Sequence, residues 1–143
     1  MIPVHTFLRE WNVPLLRASV AAGFPSPAQD EATEELNLEQ LLIEHREATF
    51  FWRVVGNSMI GEGIHHGDLL IVDRSSTPDH GSIVIAILDG GFVVKQFVRH
   101  HDSVILRSSH PDYPEILITQ EQNLVIWGVV KWSIHRVASK ISR

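Results

Sequence analysis

Residues 83–98 read Ile83-Val84-Ile85-Ala86-Ile87-Leu88-Asp89-Gly90-Gly91-Phe92-Val93-Val94-Lys95-Gln96-Phe97-Val98. Two runs rich in β-branched and aromatic residues flank an Asp-Gly-Gly turn signal. That pattern predicts a β-hairpin. Further runs of the same kind occupy residues 49–55, 69–72, 104–106, 116–118 and 124–134. Turn signals separate them at Gly67-Asp68, at Asp79-His80-Gly81 and at Pro111-Asp112-Tyr113-Pro114. Short strands at this spacing predict a mainly β, antiparallel domain over residues 46–143.

Residues 1–45 read differently and are expected to form a flexible N-terminal arm. Pro3, Pro14, Pro25 and Pro27 interrupt any long helix. Residues 13–20 suit a short helix or an extended segment. Gly23-Phe24-Pro25-Ser26-Pro27 is expected to be extended, because a residue before proline is pushed out of the helical region. Residues 36–43 predict a short helix, with Asn37 as N-cap and Gln40 three positions on.

The chain has 143 residues, enough for one compact domain plus an arm. Its apolar share of 44% and charged share of 20% are those of an ordinary globular protein. It contains no apolar run long enough to span a bilayer. Met1-Ile2-Pro3-Val4-His5-Thr6 lacks the layout of a secretory signal. With no cysteine there is neither a disulfide nor a thiolate metal site. A cytoplasmic location is the expectation. A net charge of −5 argues against salt-driven DNA binding over a broad surface. Asp30, Glu31, Glu34, Glu35, Glu39 and Glu44 lie in a stretch free of Lys and Arg, while Lys131, Arg136, Lys140 and Arg143 make the tail basic. Both are read as solvated surface.

Two residues stand out chemically. Lys95 is the only charge in the run 92–98, and its strand period gives it apolar neighbours, Val93 and Phe97, on its own face. Burial of that kind lowers a lysine pKa and fits it to act as a general base. Ser58 lies in Gly56-Asn57-Ser58-Met59, a glycine-led turn after an aromatic run. A serine hydroxyl becomes a nucleophile once a base takes its proton. The backbone N–H groups of Asn57 and Ser58 are candidates for an oxyanion site. A plain turn serine and an edge-strand lysine with its head in water are the bland readings of the same two residues. His65-His66 and His100-His101 are adjacent pairs, whose side chains diverge in a strand. No metal site is expected from them, and no cofactor. Trp11, Trp52, Trp127 and Trp132 are assigned to core or dimer contacts.

Several segments, taken in order, carry a resemblance. Residues 56–73, Gly-Asn-Ser-Met-Ile-Gly-Glu-Gly-Ile-His-His-Gly-Asp-Leu-Leu-Ile-Val-Asp, resemble the active-site segment of the LexA/UmuD family of self-cleaving Ser-Lys peptidases, and its UmuD-like branch in particular. Phe92-Val93-Val94-Lys95 resembles the lysine strand of that family, at a matching separation of 37 residues from Ser58. Asp79-His80-Gly81-Ser82-Ile83-Val84 resembles the strand leading to it, and Ile126-Trp127-Gly128-Val129-Val130 the closing strand. Ala22-Gly23-Phe24-Pro25-Ser26-Pro27 resembles the cleavage region. The resemblance implies a LexA/signal-peptidase-like β domain with Ser58 as nucleophile, Lys95 as general base and Ala22 and Gly23 flanking the scissile bond. Many relatives carry proline soon after the Ser-Met pair. Here Gly61-Glu62-Gly63 takes that place, which is expected to loosen the loop.

The same resemblance implies a homodimer in the bacterial DNA-damage (SOS) response. Its partners would be the RecA filament on single-stranded DNA, which stimulates self-cleavage, and a UmuC-like Y-family translesion polymerase. No membrane and no sequence-specific DNA would be bound. A LexA-like repressor, a signal peptidase and a non-catalytic dimeric adaptor are the alternatives. The first needs a DNA-reading helical domain, which the acidic, proline-broken arm does not offer. The second needs a membrane anchor.

Overall fold

The computed structural model of the protein describes residues 11–17, 20–25, 32–119 and 123–139. The chain forms two compact units, Met1–Glu44 and His45–Arg143. In the first unit β1 (Asn12–Leu16) pairs antiparallel with β2 (Thr33–Asn37), Pro14 opposite Glu35. Residues 13–16 are therefore extended. β2 runs directly into α1 (Leu38–Leu42), where the Asn37 side chain accepts from the Gln40 N–H at 3.1 Å. The cap is the expected one, but the helix begins later than residue 36. Leu36 and Asn37 belong to the ladder instead, because pairing with β1 satisfies their backbone groups. The backbone bends over Ala22, Gly23 and Phe24, whereas the run from Gly23 onward is expected to be extended. No neighbouring strand holds this stretch straight among the described residues; Ser26 and Pro27 lie outside them.

The second unit is a seven-stranded antiparallel sheet. Its strands are β3 (Thr49–Arg53), β4 (Leu69–Asp73), β5 (Ile83–Leu88), β6 (Gly91–His100), β7 (Ser103–Arg107), β8 (Ile116–Leu117) and β9 (Leu124–Ile134). The spatial order is β3-β4-β9-β5-β6-β7-β8. The β5–β6 hairpin closes through Asp89 (φ 48°) and Gly90 (φ 86°). Two successive positive φ values make the tight mirror-image turn whose twist suits flanking strands, and Asp-Gly is a favoured pair for it.

β5 explains the core. Alternate side chains of a strand point to opposite faces. Ile83 and Ile85 join a cluster with Val54, Met59, Ile64, Leu70 and Val72. Val84 and Ala86 join a second cluster with Phe97, Leu106 and Val129. A strand covered on both faces has no use for alternating polarity, hence its uninterrupted apolar run. Each fully buried Val, Leu, Ile, Met or Phe among them contributes about 1.5–3 kcal/mol on burial.

β9 needs two irregularities to serve both its neighbours. Its register with β5 shifts between Ile85 and Ala86, and with β4 between Ile71 and Val72. Trp127 and Lys131 are the extra residues at these bulges. Between them lies Gly128, where a Cβ atom would stand 2.7 Å from Val72 Cγ1 and 3.3 Å from Asp73 O. Gly128→Ala is expected to destabilise the sheet by about 2 kcal/mol through overpacking. Urea unfolding of the two proteins at equal m-value measures that difference.

Buried Asp73 closes β4. It accepts from Ser75 N and Oγ at 2.8 and 2.6 Å, and its other oxygen lies 2.6 Å from His45 Nδ1. Burial acts to raise its pKa, but these hydrogen bonds outweigh it and hold the carboxyl well below its ordinary range.

Candidate active site

Gly56 opens the turn with φ 91°, and its N–H donates to His66 Nδ1 at 2.9 Å. Asn57 and Ser58 follow, and Met59 plunges into the first core cluster at 1% exposure. Met59 thus anchors the turn while Ser58 stays at the surface of a cleft. A short 3-10 turn, Ile60–Glu62, ends on Gly63 in the left-handed region. Among the described residues no hydrogen bond takes the N–H of Asn57 or of Ser58. Free donors beside a hydroxyl are what an oxyanion site requires.

This turn is clamped to residue 109. Ser109 N–H donates to Ser58 O at 2.8 Å, and Gly61 N–H donates to Ser109 O at 2.8 Å. A Cβ on Gly61 would lie 2.7 Å from Ser109 O and 3.0 Å from Ser109 Cβ. The glycine therefore does not loosen the loop. It lets two backbones approach closely enough to hydrogen-bond, so the expectation of a slack loop is corrected.

Lys95 lies in mid-β6, opposite Val84 of β5. Ser58 and Lys95 line the same cavity of about 320 Å³, with Trp52, Leu70, Phe92 and Val94 among its apolar walls. The hydrogen bond of Lys95 Nζ goes not to Ser58 but to Ser108 Oγ, at 2.5 Å. The ring of Tyr113 lies 5.5 Å from Nζ. Burial lowers the Lys95 pKa from its ordinary value. No carboxylate faces it among the ion pairs of the described residues. Desolvation without a counter-charge favours the neutral amine, the form that can take a proton.

Ser108 is the residue sequence reading misses. It is 8% exposed. The β6–β7 register pairs Gln96 with Arg107, so one further step sets Ser108 opposite Lys95. Only knowledge of that register could have singled it out. Its oxygen accepts an Nζ hydrogen and so restrains the orientation of the amine.

Ala22 and Gly23 belong to the first unit and are exposed. Of the four tryptophans, Trp52 and Trp127 pack against the first core cluster, their rings 5.2 Å apart, and Trp11 is exposed.

Comparison with known proteins adds an independent finding. Residues 14–131 match the family model described as Peptidase S24-like. The chain is 45% identical over 123 residues to the protein ImpA of Salmonella typhimurium, covering 86% of this chain and 83% of that one. It is 41% identical over 127 residues to the protein MucA of Escherichia coli, covering 88% and 86%. It is 42% identical over 128 residues to the protein SamA of Salmonella typhimurium, covering 90% and 89%.

Proposed function

Because this chain belongs to the Peptidase S24-like family, as a UmuD-like protein related to the SOS system, we propose that it is a serine endopeptidase that cuts its own Ala22–Gly23 bond. The observation that carries this reading is the shared cleft. A hydroxyl and a partly buried lysine, which has no carboxylate partner among the described residues, line one apolar-walled cavity. Lys95 takes the Ser58 proton as Ser58 Oγ attacks the Ala22 carbonyl carbon. The N–H groups of Asn57 and Ser58 receive the developing oxyanion. The lysine then returns the proton to the Gly23 amine as the bond breaks, and water releases the acyl-enzyme by the reverse sequence.

A bond tethered to its own catalyst, or to that of a dimer mate, is present at high effective concentration. Such a site needs gating. In this reading a RecA filament on single-stranded DNA favours the conformer that seats the scissile segment in the cleft, which is a population shift and not a chemical contribution. The product beginning at Gly23, as a homodimer in the cytoplasm, joins a UmuC-like translesion polymerase. No helix among the described residues is long and apolar enough to cross a membrane.

The pH profile tests the chemistry. The neutral amine is the active form, so the self-cleavage rate rises about tenfold per pH unit below the folded-state pKa of Lys95 and is level above it. Because burial lowers that pKa, the plateau is reached at a lower pH than for a free lysine amine. Ser108→Ala is expected to cut the plateau rate by about tenfold through misdirection of the amine. Ser108→Thr keeps the hydroxyl and the wild-type profile. Stopped reactions across pH, read by gel, measure both effects; a rate independent of pH and of Ser108 contradicts the mechanism.

A further inference from the structure

A second cluster lies outside the cleft, at the end of the β4–β9 pair. Asp68 immediately precedes β4, and His135 immediately follows β9, whose last residue Ile134 pairs with Leu69. Asp68 is 2% exposed. Its Oδ2 accepts from His65 N–H at 2.7 Å and from Ser133 Oγ at 3.3 Å, and its Oδ1 lies 2.6 Å from His135 Nδ1. The imidazoles of His65 and His135 face each other, ring centres 4.3 Å apart and planes tilted by 32°. His65 Nδ1 is 3.5 Å from Asp68 Oδ2, too far for a good hydrogen bond. Among the described residues it is the one buried side-chain polar atom without a hydrogen-bond partner.

A buried polar atom without a partner is costly and calls for an explanation. Here the explanation lies in its neighbours. One ligand atom from each of His65, Asp68 and His135 falls within 4.8 Å of the others. Two imidazole nitrogens and one carboxylate oxygen are a donor set that suits zinc and neighbouring divalent transition ions, and not magnesium or calcium. We propose that His65, Asp68 and His135 form a divalent transition-metal site.

An ion bound about 2.0–2.2 Å from each donor gives the orphaned His65 nitrogen its partner. It also takes the place of the proton between His135 and Asp68. A neutral His135 then carries its hydrogen on Nε2, and a protonated one releases a proton to solvent. The two side chains are reachable, at 39% and 44% exposure. The adjoining cavity is lined by His66, Arg53 and Arg136 as well as Asp68 and His135. The two arginines oppose a bare cation and favour an anionic or water ligand in the fourth position. An ion held this way ties the turn before β4 to the end of β9. This proposal is independent of the peptidase reading. The adjacent pairs His65-His66 and His100-His101 do not by themselves suggest it, because its ligands come from two separate places in the chain, the turn at residues 65–68 and His135 beyond β9.

Titration of the full-length, tag-free protein with Co²⁺ in chelator-treated buffer tests it. Wild type is expected to bind one ion per chain, with a visible d–d band of low-coordinate cobalt that Zn²⁺ abolishes. His65→Gln and His135→Gln, checked for folding by circular dichroism, are expected to bind ~100-fold more weakly or worse, since loss of even a supporting residue costs about 10–100-fold. His100→Gln/His101→Gln is expected to bind like wild type. Absence of saturable binding by wild type, or undiminished binding by both His65→Gln and His135→Gln, overturns the proposal.

Discussion

Ser58→Ala and Lys95→Ala are each expected to slow release of the fragment beginning at Gly23 by ~10³-fold or more, with no loss of folding. The first removes the nucleophile and the second the group that activates it, and residues that act as a unit each account for nearly the whole effect. The double variant should therefore be no slower than either single one. Both side chains line a cavity and neither lies in the buried core, so the sheet should form without them. Lys95→Ala removes a partly desolvated amine but also leaves the buried Ser108 hydroxyl without its partner, and these opposed effects should leave the unfolding midpoint little changed. Lys95→Arg should be as inactive as Lys95→Ala, because a guanidinium stays charged at any pH the protein survives. Timed gels of the purified variants measure this. Cleavage by Ser58→Ala at the wild-type rate would place the nucleophile elsewhere.

Gly61→Ala is the second large effect. The added methyl would stand 2.7 Å from Ser109 O, where real contacts essentially never lie. The obstacle is backbone, not the free end of a side chain, so the turn and residue 109 must part. The two hydrogen bonds from Ser109 N–H to Ser58 O and from Gly61 N–H to Ser109 O then stretch or break. Ser58 and Ser109 are displaced together, and with Ser109 its neighbour Ser108, which holds Lys95 Nζ. A misplacement of about 1 Å at reacting atoms costs about 10²-fold in rate, and that is the expected loss of self-cleavage. Gly63 is the control. Its φ of 77° makes substitution there strained, but nothing lies near its missing Cβ, so Gly63→Asn should cleave nearly as wild type.

How much of this was legible in the sequence depends on range. The β5–β6 hairpin was readable because its signals are local: two apolar runs and an Asp-Gly turn that tolerates positive φ. The Asn37 cap was readable for the same reason. β2 was not. Thr33-Glu34-Glu35-Leu36-Asn37 carries no alternation of polarity, and only its ladder with β1 makes it a strand. The bulges at Trp127 and Lys131 escape a period-two reading, since each is set by a partner strand. Ser58 and Lys95 are locally odd, a hydroxyl in a glycine-led turn and a charge in an apolar run, but it is the resemblance of the segments around them, and not the oddity, that singles them out over the bland readings. Ser108 has no such oddity and is defined by the register of β6 and β7. The bend over Ala22–Phe24 shows the converse limit, since a proline restrains the residue before it but does not straighten a segment without a partner.

The most direct measurement is the mass of what the purified wild-type protein becomes at alkaline pH, with and without activated RecA filament. If a partly desolvated amine at Lys95 arms the alcohol of Ser58, the large fragment has the mass of residues 23–143 and its first residue is Gly23. A chain that stays whole under both conditions, or one that is cut at another bond, contradicts the account.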